Sequence, residues 1–119
     1  MYYPALCIPD DARRGQMIDA KFDPSNIPDQ FKCTFVKLSS KYVLDVIKLD
    51  VNKEICGFKK PVLIVHGKQD ALVNISYSRS AAQEYPNCKL IEIDGDHGFN
   101  SEKSFSLCKK ATIDFLQNK

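Results

Sequence analysis

From Pro61 to Val65 the chain is apolar without interruption, and the run stops at His66-Gly67 before reaching Asp70. A segment with no polar face must be covered on both sides, as a parallel strand is when it lies between helices. Asp70 then falls in the loop just past the strand's carboxyl end, where open α/β sheets keep their ligands and their chemistry. Lys89 to Ile93 alternates instead, which predicts a second strand nearer a sheet edge, followed by Asp94-Gly95-Asp96-His97-Gly98-Phe99. Between the two strands, Ile75 to Tyr85 predicts a crossover helix that stops at Pro86. Ser101 to Leu116 sets Phe105, Leu107, Cys108, Ala111, Thr112, Phe115 and Leu116 on one side and Lys103, Lys109 and Lys110 outside. That pattern predicts a closing helix capped by Ser101.

The amino-terminal half is less regular. Tyr2 to Ile8 is apolar and predicts a strand over residues 1–8, one that starts as though inside a sheet. From Pro9 to about Phe35 the apolar residues are scattered among Pro9, Pro24, Pro28, Gly15 and acidic pairs, which predicts an irregular excursion. Phe22, Ile27 and Phe31 are available to tuck it down, and such a loop could form part of a lid. Ser39 to Leu49 places Tyr42, Val43, Val46, Ile47 and Leu49 near helical spacing, with Ser39 or Ser40 as N-cap, and a shorter amphipathic piece follows, closed by Gly57. The expected order is a strand over 1–8, an excursion with helices over 9–58, and strand-helix-strand-helix over 59–119, all in a single partial domain with no internal repeat.

Composition changes this picture little. At 119 residues, 44% hydrophobic and 27% charged, the chain is about one ordinary globular domain. A net charge of +2 from 17 basic and 15 acidic residues gives no electrostatic case for nucleic acid or an anionic membrane. No apolar run approaches the roughly 20 residues that span a bilayer, and the start lacks the basic and long apolar regions of a signal peptide. Cys7, Cys33, Cys56, Cys88 and Cys108 are odd in number, scattered and never in a C-x-x-C pair, which fits thiols in a reducing, cytoplasmic setting.

Two parallel strands joined by a right-handed crossover bring their carboxyl ends side by side, so Asp70 and His97 can meet. A carboxylate accepting from Nδ1–H fixes the imidazole tautomer and leaves Nε2 free to take a proton from a nucleophile. Gly95 and Gly98 suit a histidine presented from a tight turn. The bland alternative for Asp70 is a turn aspartate accepting backbone N–H bonds. His66, after an apolar strand and before Gly67, reads as a packed, hydrogen-bonded histidine. Asp10-Asp11 with Arg13-Arg14 reads as a solvated turn rather than a metal or phosphate site, and Asp94 and Asp96 lack the further oxygen ligands that calcium needs. Cys7 and Cys88 sit at no nucleophile elbow, and buried cysteines are usually inert. Packing is favoured over contact with an acyl group for Val73 and Phe99. No cofactor and no metal is expected.

PVLIVHGKQDALV followed by IEIDGDHGF and a terminal amphipathic helix resembles the carboxyl-terminal part of an α/β-hydrolase, over about Lys60 to Leu116. By that resemblance the fold class is α/β: a C-terminal fragment of an α/β-hydrolase sheet with about three parallel strands, corresponding to strands 6 to 8, flanking helices and part of a cap insertion. The resemblance implies Asp70 as the catalytic acid and His97 as the general base, in the order nucleophile, acid, histidine. YYPALCIPDD is similar to strand six, and FDPSNIPDQF through the helix at Ser39 resembles the cap insertion of cinnamoyl or feruloyl esterase-like members. None of the nine serines lies in a G-x-S-x-G elbow, and no HGGG-type oxyanion segment occurs. The resemblance therefore implies a serine carboxylesterase acting on small-molecule esters, whose nucleophile and earlier strands are absent from this chain, so that the chain alone is inactive. A prolyl-oligopeptidase-type peptidase fragment, or a non-catalytic remnant binding a partner through its open sheet, are the alternatives. An unpaired edge at the first strand implies self-association or a swapped arrangement.

Overall fold

The structure is a computed structural model, and it describes residues 1–118. The elements in chain order are α1 (Ile8–Arg13), β1 (Gln16–Met17), β2 (Ala20–Lys21), β3 (Gln30–Cys33), β4 (Val36–Ser39), α2 (Ser40–Val46), α3 (Val51–Cys56), β5 (Val62–Gly67), α4 (Ile75–Glu84), β6 (Cys88–Ile93) and α5 (Glu102–Gln117). They divide into two compact units. One joins Met1–Leu6 to the chain from Asn52 onward, and the other is Cys7–Val51.

In the first unit the apolar run becomes β5, buried at every position. It pairs in parallel with β6, from Val62 opposite Cys88 to Gly67 opposite Ile93. On its other side Tyr2 bridges Val65 in parallel, with Val65 N–H donating to the Met1 carbonyl at 2.9 Å and Tyr3 N–H to the Val65 carbonyl at 2.8 Å. The crossover helix α4 starts at Asn74, whose side chain accepts from Ser76 N–H, and gives out before Pro86, which disfavours a helical backbone at Tyr85. Ser101 caps α5 by accepting from Ser104 N–H. Leu63, Val65, Ile93, Phe99, Cys108 and Ala111 form the core between sheet and helix, with Tyr3, Ile91 and Phe115 packed against it. Each large apolar side chain fully buried there contributes roughly 1.5–3 kcal/mol.

The strand expected over residues 1–8 is much shorter than that. Pairing with β5 ends at Tyr3, whose backbone takes a positive φ of 35°. Pro4 has no N–H to give a ladder, and Leu6 N–H turns back onto the Pro4 carbonyl.

The second unit corrects the expectation of an irregular excursion after Pro9. Residues 8–13 are helical, with proline in the first turn and Asp10 and Asp11 at the positive end of the helix. Asp10 pairs with Arg13 at 2.8 Å, and Asp11 pairs with Arg14. Two antiparallel hairpins follow. One joins β1 to β2 through Ile18-Asp19, and the other joins β3 to β4 through Thr34-Phe35. The Asp19 carboxylate accepts from Thr34 N–H at 2.7 Å and so ties the two turns together. The expected helix from Ser39 to Leu49 is shorter, because Ser39 is still paired with Gln30 in the hairpin. Ala12, Met17, Cys33, Val43 and Val46 make this unit's core, against which Phe22 and Phe31 pack with ring centroids 5.3 Å apart. Among the described residues no helix is long and apolar enough to cross a membrane.

Candidate active site

The carboxyl ends of β5 and β6 carry the site, and their two loops are held together by close backbone contact. At Gly67 a Cβ would lie 2.3 Å from the Gly95 carbonyl oxygen, so only glycine lets the loops approach this closely. Gln69 then bonds Gly95 twice: its backbone N–H donates to the Gly95 carbonyl at 3.0 Å, and its side-chain oxygen accepts from Gly95 N–H at 2.7 Å. Lys68 N–H adds a bond to the Ile93 carbonyl at 2.8 Å. These contacts set Asp70 beside His97 although the two are far apart in sequence.

The Asp70 side chain is fully buried. Its Oδ1 accepts from Leu72 N–H and Val73 N–H, both at 2.9 Å, and its Oδ2 lies 2.8 Å from His97 Nδ1. Burial pushes the carboxyl's pKa up, but the hydrogen bonds from Val73, His97 and Leu72 outweigh it, so the group titrates below the ordinary carboxylate value. One oxygen of Asp70 thus accepts the backbone N–H bonds of a turn and the other faces the His97 ring. With Nδ1–H donating to an ionised carboxylate, Nε2 of His97 is the bare, basic nitrogen, on a side chain that is 30% exposed. A half-exposed imidazole with one nitrogen anchored can move a proton at the other.

The His97 loop is fixed from within. Asp96 accepts from Asn100 N–H at 2.9 Å and from its amide at 3.0 Å, and the same amide donates to the His97 carbonyl at 2.9 Å. Those bonds from Asn100 hold the Asp96 carboxyl below its ordinary value. Gly98 has a φ of 91° and Phe99 one of 52°, a conformation a bulky residue keeps only where packing over-determines it. Burial of the Phe99 ring in the core supplies that constraint. The Tyr3 ring lies 4.6 Å from the imidazole and 5.1 Å from Phe99, centroid to centroid.

The other residues singled out in the sequence fall elsewhere. Asp94 faces Lys68 at 3.6 Å, and among the described residues no group of three or more His, Cys, Asp or Glu side chains could hold a metal ion. Burial, reinforced by Asp11, pushes the Cys7 thiol up to about 11, and burial also raises that of Cys88, opposite to what a thiolate nucleophile needs. Val73 and Phe99 are buried.

His66 is packed and hydrogen-bonded, but its position carries more than the sequence signalled. Its Nδ1 lies 2.6 Å from Ser78 Oγ, and its Nε2 lies 3.0 Å from the Val73 carbonyl oxygen and 3.0 Å from Asp70 Oδ2. This line of serine, histidine and aspartate imitates a catalytic triad, yet Ser78 and His66 are wholly inaccessible, so no substrate can reach that hydroxyl. Sequence reasoning missed this contact, the Gln69 tie and the Tyr3 ring. The four-residue step from His66 to Asp70 is the only signal for the first, and Gln69 and Tyr3 carry none.

No protein-family model matches the chain, and no curated protein does. Among solved structures, Est1E from Butyrivibrio proteoclasticus is 34% identical with a TM-score of 0.85, over 98% of this chain and 48% of that one. Est1E with ferulic acid bound gives the same identity and TM-score over 98% of this chain and 47% of the other. An esterase domain from a Rhodothermus marinus protein shares the fold at 13% identity and a TM-score of 0.64, over 94% of this chain and 48% of that one. The chain thus spans about half the length of these structures and is similar to them along nearly all of its own. That likeness is consistent with the carboxyl-terminal part of an α/β-hydrolase esterase.

Proposed function

We propose that this chain carries the acid, Asp70, and the general base, His97, of a Ser-His-Asp triad in a serine carboxylesterase of the α/β-hydrolase kind, with the serine lying outside these 119 residues. The observation that carries the reading is the 2.8 Å contact between His97 Nδ1 and the buried Asp70 Oδ2 at the ends of adjacent parallel strands. Ferulic acid bound to Est1E favours small esters of hydroxycinnamic acids as substrates.

In that chemistry the serine Oγ attacks the ester carbonyl carbon while its proton passes to His97 Nε2. Asp70 stays ionised, holds the tautomer and stabilises the imidazolium. The tetrahedral intermediate collapses, Nε2–H protonates the leaving alcohol, and an acyl-serine remains. Water, deprotonated by the same nitrogen, releases the acid and restores the serine. Without the serine there is no hydroxyl for His97 to activate and no acyl-serine to form, so the chain alone does not hydrolyse esters by this triad.

The test is hydrolysis of methyl ferulate and of a short-chain aryl ester by the longer protein that joins this chain to its serine-bearing part. Asp70→Asn should lower kcat by about ten-thousand-fold and His97→Ala by about a million-fold, with little change in KM. Activity retained by His97→Ala removes the histidine from the mechanism.

A further inference from the structure

The geometry points to His66 as a positioning residue for Asp70, one whose Nε2–H fixes the Val73 turn that holds the carboxylate against His97. This rests on the reading of Asp70 as the acid that orients His97, and it assigns a purpose to a buried histidine that packing alone does not explain. A leucine or phenylalanine would fill the same space without the cost of burying two ring nitrogens.

The proton positions follow from the partners. Nε2 faces two oxygens, the Val73 carbonyl and Asp70 Oδ2, each 3.0 Å away. A carbonyl and an ionised carboxylate only accept, so Nε2 must bear the hydrogen. In the neutral ring Nδ1 is then bare, and Ser78 O–H donates to it at 2.6 Å. The Val73 carbonyl thus sets the tautomer of His66, as Asp70 sets that of His97, and Ser78 anchors the ring. Asp70 in turn accepts from three N–H groups, Leu72 and Val73 at Oδ1 and His97 at Oδ2, which fix its plane. His66 Nε2 sits 3.0 Å from Oδ2 while its hydrogen bond goes to the Val73 carbonyl, and that bond ties the turn that supplies the two backbone donors. Loss of the Nε2–H frees this turn, so that Oδ2 can swing out of line with His97 Nδ1 while β5 and its hydrophobic cover stay in place.

The test is hydrogen exchange of the His97 Nδ1 proton in the 119-residue chain, followed by nuclear magnetic resonance and identified by its disappearance in His97→Gln. The amide nitrogen of glutamine reaches the place of Nε2, whereas that of asparagine reaches only the place of Nδ1. His66→Gln should therefore exchange this proton at the wild-type rate, and His66→Asn roughly ten-fold faster, the loss of one buried hydrogen bond. Equal protection in wild type and a folded His66→Asn overturns the proposal, and so does equally fast exchange in His66→Asn and His66→Gln, since a packing role would cost the two variants alike. If the amide spectrum shows His66→Asn unfolded, Ser78→Ala decides: a several-fold faster exchange supports the proposal and an unchanged rate overturns it. Should the longer protein hydrolyse no ester, the proposed function falls, and the exchange experiment still reports whether His66 governs the Asp70–His97 bond.

Discussion

The loops at the ends of β5 and β6 and the hairpin turns of the Cys7–Val51 unit use the same expensive backbone in opposite ways. Phe99 takes a positive φ in one, and Ile18 and Thr34 do so in the other, at 52°, 55° and 53°. Phe99 is 4% exposed and locked by the core beneath it, while Ile18 is 60% and Phe35, beside Thr34, 94% exposed. The hairpin turns are held by polar ties: the Asp19 carboxylate accepts from Thr34, the Gln16 amide donates to the Ile18 carbonyl, and the Cys33 thiol donates to the Met17 carbonyl. Strain held by packing fixes a side chain for a purpose, whereas strain held by polar ties only closes a turn.

That contrast breaks most sharply at Gly67. A Cβ there collides with the Gly95 carbonyl, so Gly67→Val should destabilise the first unit by about 3 kcal/mol, read as a lower denaturant midpoint together with loss of the His97 Nδ1–H resonance. Asp70 comes next. Its folded pKa is depressed below the ordinary 3.8, so its contribution is fully present above that value and is lost as pH falls through the lower folded one. Acid titration of wild type and Asp70→Asn should show a stability difference that is constant above about pH 4 and shrinks below it. A difference that persists to the lowest pH denies the depressed value. Asp19→Ala removes the carboxylate tie to Thr34 and should speed amide exchange at Thr34 and Met17 with the β5–β6 amides unchanged. Phe35→Ser should stay within about 0.5 kcal/mol of wild type, and a larger loss in a thermal melt would show that the hairpin tip is covered in solution.

How much of this was legible follows from the same contrast. The buried run at Val62 to Val65, the alternation at Lys89 to Ile93, the stop at Pro86 and the cap at Ser101 belong to regular segments, so pattern alone places β5, β6, α4 and α5 and brings Asp70 to His97. The hairpins escape because their strands are two to four residues long with no clean alternation of burial. Their turns, Ile18-Asp19 and Thr34-Phe35, also lack the Asn-Gly or Gly-X signature of tight hairpins. The first strand is overread because apolar composition at Tyr2 to Ile8 says nothing of the bend that Pro4 and the left-handed Tyr3 impose. Within the site, the pair was visible and its supports were not. Gln69 and Tyr3 are unremarkable residue types whose value is entirely in where the folded backbone leaves them, and His66 reaches Asp70 only across a turn.

Tyr3 carries a last consequence. Its N–H is bonded to the strand core at Val65 and its ring lies across His97, so the imidazole is wedged between a tethered aromatic face and the carboxylate. A free histidine samples several rotamers, and a reaction that needs one of them must first gather the population into it. Here the gathering is done when the chain folds, and the rotational entropy of the ring is surrendered then.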